Sequence, residues 1–317
     1  MNADPIETIQ LGKTDVRVPP LGIGTWQWGD GMMWGYGKGY AEGEIKAAFD
    51  ASIAAGTTFF DTAELYGFGK SERFLGKFIR ASGQPAVVAT KFVPVPWRLD
   101  KGSLVRALHG SLNRLGMQQV DLYQIHSPLP PVSIETWMDG LADAVQADLT
   151  RAVGVSNYNV EQTRRAHAVL AKRGVPLASN QVEYSLLKRD PERTGLLTLC
   201  QELDVTLIAY SPLAKGLLTG KYTPENPPAG TRGRLFRPDY LARIQPLIGL
   251  LREIGAAHQG KNPNQVALNW LICKGVIPIP GAKNARQAQE NAGALGWRLT
   301  TDEVAALDAA SERVSGK

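Results

Sequence analysis

Eight short apolar runs, each followed by a stretch with apolar residues at helical spacing, constrain this chain more than any other feature. The runs are "LGIGTW" (21–26), "TTFFDT" (57–62), "AVVATKF" (86–92), "DLYQIHS" (121–127), "RAVGVSN" (151–157), "ASNQVEYS" (178–185), "TLIAYSPL" (206–213) and "VIPIPG" (276–281). Strands that alternate with helices pair in parallel, because each helix carries the chain back to where the next strand begins. Eight such units close into a (β/α)8 TIM barrel, whose active site lies at the C-terminal ends of the strands. The competing fold, a doubly wound open sheet, needs a G-x-G-x-x-G turn entering a helix after its first strand. Here "GIGTWQWG" has Gly22, Gly24 and Gly29 without that spacing. The expected architecture is one α/β barrel domain over residues 1–317, opened by an N-terminal β-hairpin in "ETIQLGKTDVRVPP".

Composition narrows the function classes. With 44% hydrophobic and 21% charged residues, the chain is ordinary for a globular protein and long enough to bury a full core without staples. Cys200 and Cys273 are far apart in helical segments, which predicts reduced thiols in a cytosolic protein. The net charge of +5 leaves an anionic small ligand open. The basic residues are scattered, with no stripe interleaved with aromatics, so nucleic acid is not expected as a partner. "MNADPIETIQ" lacks the features of a signal or transit peptide, and no apolar run is long enough to span a membrane. A cytoplasmic location follows as the expectation, while the oligomeric state is left open. Four histidines (His109, His126, His167 and His258) with no H-x-H pair at a strand end argue against a metal-dependent barrel hydrolase, and no metal is expected.

If the strand ends converge, the polar residues there form one constellation. Strand two ends at Asp61, with Tyr66 in the following loop; strand three ends at Lys91 and strand four at His126. Ser156 and Asn157 end strand five, Gln181 lies in strand six, and Tyr210 and Ser211 end strand seven. Burying Asp61 or Lys91 alone is costly, and pairing them removes the objection. A free phenol, with a pKa of about 10, is too weak an acid to protonate a carbonyl readily. A lysine cation beside Tyr66 is expected to lower that value, with Asp61 keeping the lysine charged and aimed. His126 on the next strand can orient the carbonyl oxygen. Each residue alone also has a structural reading, as a cap or a core ion pair; four at successive strand ends point to a site.

At this point the chain resembles the aldo-keto reductases, (β/α)8 barrels that use NADPH or NADH. The likeness runs from "LGIGTW" to "IPGAKNARQAQENAGALGW" and is carried by "FFDTAELYG", "ATKF", "VDLYQIH", "AVGVSNY", "NQVEYSLL", "AYSPLAKGLLTGKY" and "PIPGAKNARQAQEN". It implies a catalytic tetrad of Asp61, Tyr66, Lys91 and His126, with Tyr66 as proton donor. It implies cofactor contacts from Thr25, Trp26 and Asp61 near the nicotinamide end, with Ser156, Asn157 and Gln181 on the carboxamide and Tyr210 under the ring. Ser211, Pro212, Leu213, Lys221 and Arg232 match the loop that closes over the pyrophosphate. Gly281, Ala282, Lys283, Gln287, Glu290 and Asn291 match the adenosine end, where a helix N-terminus favours phosphate. Lys283 stands where the family contacts the 2′-phosphate, which implies NADPH as cofactor, NADH being less favoured.

Two long connections follow strands one and seven, "QWGDGMMWGYGKGYAEGE" (27–44) and "AKGLLTGKYTPENPPAGTRGRLF" (214–236). Loops of this length are uncommon and usually functional or disordered. Trp26, Trp34, Tyr36 and Trp97 either wall a substrate pocket for a planar carbonyl compound or pack against the barrel rim. "WGYG" and "NPNQVALNWLICKG" resemble a branch of plant and bacterial members that includes pyridoxal reductases. The expected activity is NADPH-dependent reduction of a small-molecule aldehyde or ketone, pyridoxal leading among substrates. The alternative is a cofactor-holding redox sensor on the same barrel, against which His126 speaks.

Overall fold

The computed structural model describes residues 7–228 and 236–315. A short antiparallel hairpin, β1 (Ile9–Gln10) and β2 (Arg17–Val18), precedes the barrel strands. These are β3 (Gly22–Gly24), β4 (Phe59–Asp61), β5 (Val87–Phe92), β6 (Val120–Ile125), β7 (Thr150–Ser156), β8 (Leu177–Glu183), β9 (Thr206–Tyr210) and β10 (Ile277–Pro278). Each pairs in parallel with its neighbour in chain order. A parallel bridge between Gly24 and Gly281, with the Gly24 amide donating to the Pro280 carbonyl at 3.0 Å, brings the last strand back to the first.

Between the strands run α1 (Glu42–Ala54), α2 (Lys70–Ser82), α3 (Lys101–Leu115), α4 (Ile134–Gln146), α5 (Val160–Lys172), α6 (Asp190–Arg193) and α7 (Leu196–Glu202). Among the described residues four more follow: α8 (Pro238–Ala257), α9 (Pro263–Cys273), α10 (Ala285–Ala292) and α11 (Thr301–Ser315). Their starts are written in the sequence. Asp100, Ser133, Asn159, Asn262 and Asn284 each accept a hydrogen bond from a first-turn amide, satisfying donors that the helix itself cannot. No helix among the described residues is long and apolar enough to cross a membrane. Cys200 and Cys273 are both free thiols, the first buried and the second half-buried.

The two-residue period of a strand decides what fills the barrel. Phe59, Ala89, Leu122, Ala152, Ile208 and Ile277 point inward as an apolar layer, sealed from below by Leu11, Val16 and Val18 of the hairpin region. Residues one step along face outward, so that Phe60, Val88, Tyr123 and Val153 join the cluster beneath the helices. Two residues beyond the inward layer come Asp61, Lys91, Gln124 and Tyr210. The polar groups thus stand on a buried apolar plug, at the C-terminal end of the barrel.

Candidate active site

Asp61 ends β4 and Lys91 lies on β5 beside it, both fully enclosed; their ion pair is 2.5 Å long. The Lys91 ammonium also donates to the Thr62 carbonyl at 2.9 Å and to the Tyr66 hydroxyl at 3.4 Å. The other carboxylate oxygen of Asp61 accepts from the Gln181 amide at 2.8 Å and from the Gln124 amide at 3.3 Å. The lysine's charge is therefore balanced by one carboxylate whose own lone pairs are occupied, which is what a buried pair requires. His126, one residue past β6, sets its ring edge-on to Tyr66 at 5.8 Å, and its Nδ1 is buried without a partner. Trp26 stacks on Tyr66 at 6.1 Å, and Trp34 meets Trp26 edge to face at 5.5 Å.

These surroundings set the proton affinities. Burial pushes the Tyr66 phenol up and outweighs the lowering pull of Lys91, so its pKa lies above the ordinary tyrosine value. This corrects the expectation that the lysine would bring it down: desolvation at the cavity's end outweighs the cation, and the phenol is kept protonated. Burial works against the charge of Lys91, but Asp61 and Tyr66 together outweigh it and the ammonium is retained. His126 is pushed down to about 3 by burial and by the Lys91 charge, so the imidazole is neutral at ordinary pH. The site therefore holds a protonated phenol, a cation behind it and a neutral imidazole at its side.

An elongated cavity of about 1150 Å³ runs across the strand ends, with Asp61, Tyr66, His126, Trp26 and Trp34 lining one end. Ser156, Asn157, Gln181 and Tyr210 follow along its wall. Ser156 donates to the Gln181 carbonyl at 2.8 Å, and Tyr210 donates to the Asn157 side chain at 3.0 Å. Ser211, Pro212, Leu213 and Lys221 line the far side, then Gly281, Lys283, Gln287, Glu290 and Asn291. The wall after β9 is bent: Ser211, Ala214, Lys215 and Gly216 all have positive φ, at 51°, 48°, 57° and 96°. Backbone of this kind persists only where its surroundings over-determine it, commonly at ligand clamps. The Gln27 side-chain amide lies over Gly281, 2.0 Å from where a Cβ would be, so a larger residue there would have to displace it.

Other predicted residues stand apart from the cavity surface. Thr25 is buried and donates to the Asp61 carbonyl at 3.0 Å, bracing the strand end from behind. Lys91 lies beneath the floor and meets the site through its ammonium. Ala282 is buried, its carbonyl accepting from the Trp28 indole at 2.8 Å. Tyr36 packs on Tyr40 and Phe74, and Trp97, 78% exposed, projects outside the cavity. Arg232 lies outside the described residues.

The cavity wall also contains residues that strand-end reasoning passed over: Gln27, Lys215, Gly216, Asn262 and Asn264, with Gln124 beneath. Gln124 was detectable, being two residues before His126 on the same strand face. Asn262 and Asn264 come from the start of α9, which belongs to no strand end and gave no signal. Among the described residues, no group of three or more His, Cys, Asp or Glu side chains is placed to hold a metal ion.

Fold and site together define a (β/α)8 barrel with a cluster of titratable side chains at the C-terminal ends of its strands. A family model described as the aldo/keto reductase family matches residues 20–312. The chain is 43% identical to the chloroplastic pyridoxal reductase of Arabidopsis thaliana, over 97% of its own length and 87% of the relative's. It is 31% identical to an aldo-keto reductase of Schizosaccharomyces pombe whose name specifies NADP(+), over 94% of this chain and 89% of that one. The crystal structure of an aldo-keto reductase from Klebsiella pneumoniae in complex with NADPH superposes with a TM-score of 0.75 at 30% identity, covering 96% of this chain and 94% of the other. The chain belongs to the aldo/keto reductase family, and it is an oxidoreductase.

Proposed function

We propose that the protein reduces an aldehyde or ketone to the alcohol with NADPH, Tyr66 giving the proton. The observation that carries this reading is the buried Asp61–Lys91–Tyr66 chain, with the phenol opening into the cavity beside a neutral His126. The cavity suits an elongated anionic cofactor. Lys215, Lys221, Lys283 and Arg286 line it and answer the negative charge, while the acceptors Gln27 Oε1 and Asn264 Oδ1, buried there without partners, would take N–H or O–H donors of the same molecule. When bound, NADPH supplies a hydride to the carbonyl carbon. Ser156, Asn157 and Gln181 would hold its carboxamide, Tyr210 its ring, residues 211–221 its pyrophosphate and Lys283 its 2′-phosphate.

The chain's own work is on the oxygen. Tyr66, kept protonated by burial, donates to the carbonyl oxygen as negative charge gathers there, and the phenolate left behind is stabilised by the Lys91 ammonium. Asp61 prevents Lys91 from losing its charge to desolvation. His126, neutral, holds the oxygen by a hydrogen bond without competing as a proton source. Trp26 and Trp34 wall the substrate end and favour a planar, aromatic aldehyde; the likeness to a pyridoxal reductase supports pyridoxal as the leading substrate.

The test is NADPH oxidation by the purified protein against pyridoxal, an activated aromatic aldehyde, a short aliphatic aldehyde and an aldose. Tyr66→Phe should lower kcat by about 10²- to 10⁴-fold, the usual contribution of a positioned proton donor, with the Kd for NADPH nearly unchanged. Undiminished turnover in that variant would remove Tyr66 from the reaction. Tight NADPH binding without turnover on any carbonyl would instead favour a cofactor sensor.

A further inference from the structure

Between Asp61 and Tyr66 the chain leaves the sheet, turns, and returns so that the phenol lies 3.4 Å from the Lys91 ammonium. The excursion is short and ends in awkward backbone: Gly67, Phe68 and Gly69 have φ of 56°, 55° and 81°. Phe68 takes a conformation that a bulky side chain avoids, and its ring is 84% exposed, so no packing rewards it. Something else must hold Tyr66 in place.

Downstream, Ser71 is buried, accepting from Thr62 at 2.9 Å and donating to the Thr25 carbonyl at 3.0 Å. Upstream the anchor is Glu64. Its carboxylate accepts the Val93 amide at 2.7 Å, one step beyond the last backbone bond toward β5, from the Glu64 amide to the Lys91 carbonyl at 3.5 Å. Arg98 forks onto both oxygens of that carboxylate, with Nη2 at 3.0 Å from Oε2 and Nη1 bonded to Oε1. The same guanidinium donates to the Val93 carbonyl at 2.8 Å and lies over the Phe92 ring at 4.8 Å. Glu64 and Arg98 are mostly buried, with side-chain exposures of 11% and 24%. A planar fork bound on two sides and stacked on a third admits little movement, which lysine in its place would not reproduce.

We propose that Arg98 is a positioning residue for proton transfer, acting through Glu64 to hold Tyr66 at its working distance from Lys91. The inference rests on the reading of Tyr66 as the proton donor. Removing the fork leaves the Glu64 carboxylate held by the Val93 amide alone, with the Glu64 amide reaching the Lys91 carbonyl only at 3.5 Å, and lets the 63–66 turn move. A displacement of about 1 Å at a reacting group can cost about 10²-fold in rate. Arg98 lines no part of the cavity, so cofactor affinity should not depend on it.

The experiment compares Arg98→Lys, Arg98→Ala and Glu64→Gln with the wild type and with Tyr66→Phe. Thermal unfolding is recorded first, and guanidinium ion is added to Arg98→Ala at concentrations that leave the wild type unaffected. The expected result is a fall in kcat of about 10- to 100-fold in both Arg98 variants with an unchanged Kd for NADPH, partial recovery of Arg98→Ala by guanidinium, and an alkaline limb of kcat displaced from that of the wild type, as the phenol's enclosure and its contact with Lys91 both change. Wild-type kcat and pH profile in Arg98→Lys and Arg98→Ala, while Tyr66→Phe is inactive, would overturn the inference and leave the reaction standing. Full turnover in Tyr66→Phe would overturn the reading beneath it. If Arg98→Ala fails to fold, Arg98→Lys carries the test, since it keeps the charge and loses only the fork.

Discussion

His126 is a side chain whose surroundings make a measurable demand on the whole protein. Its pKa is pushed from 6.5 in the unfolded chain to about 3 in the fold, by burial first and by Lys91 second. The unfolded state therefore binds more protons between those values, and stability falls as pH drops through that window. Above pH 6.5 the contribution is complete; below about 3 it is gone. Each pH unit of that window weakens the fold by up to about 1.4 kcal/mol from this group. His126→Gln should flatten the acid limb of urea-unfolding stability relative to wild type between pH 6 and pH 4, values chosen to lie roughly within that window. Parallel curves would mean that the imidazole is hydrated in solution. Near neutral pH the same ring should contribute no ionisation to the rate profile.

At the scale of the element, strands and helices meet under tight tolerances that local sequence cannot reveal. On α2, Gly76 faces the end of α3 so closely that a Cβ would fall 2.0 Å from the Leu115 carbonyl oxygen. Neither partner is a flexible side chain, so Gly76→Ala must push two helices apart and should cost about 1–3 kcal/mol, read as a lower urea midpoint. Because α2 follows directly on the Tyr66 turn, that shift should also reduce turnover; unaltered stability would show that the helices separate freely. A helical pattern alone reads Gly76 as a mildly unfavourable helix residue. Its reason for being there is a contact 39 residues away in the chain (115 − 76).

Across the whole molecule, the cavity runs from Tyr66 and His126 to the far cationic end at Lys283 and Arg286. Lys283 donates to the Trp34 carbonyl at 3.0 Å and lies 4.5 Å from the Tyr40 ring centre, so the 27–41 loop positions the cation predicted to select NADPH. Lys283→Ala should weaken NADPH binding by about 10-fold or more while changing NADH much less, measured by titration of the two cofactors; one charge-assisted phosphate contact of about 1.5–3 kcal/mol accounts for that size. Equal losses for the two would place the 2′-phosphate elsewhere. The eight-stranded parallel fold was legible in the sequence because strand and helix periodicities are local and their alternation admits few closures. Asp61, Lys91 and His126 were legible for the same reason: each follows an apolar strand, and strand ends in a barrel converge. Other features depended on distances between segments remote in the chain. Gln124 and Gln181 meet at Asp61 only once the barrel closes, and Trp97 lies outside the cavity because its loop turns toward Glu64. The direction of the Tyr66 pKa was of this kind too, since burial and a nearby cation oppose each other. The sequence by itself determined which chemistry-bearing side chains the barrel would present; only the tertiary structure decided their proton affinities and their partners, because desolvation and fork geometry depend on everything packed around a group.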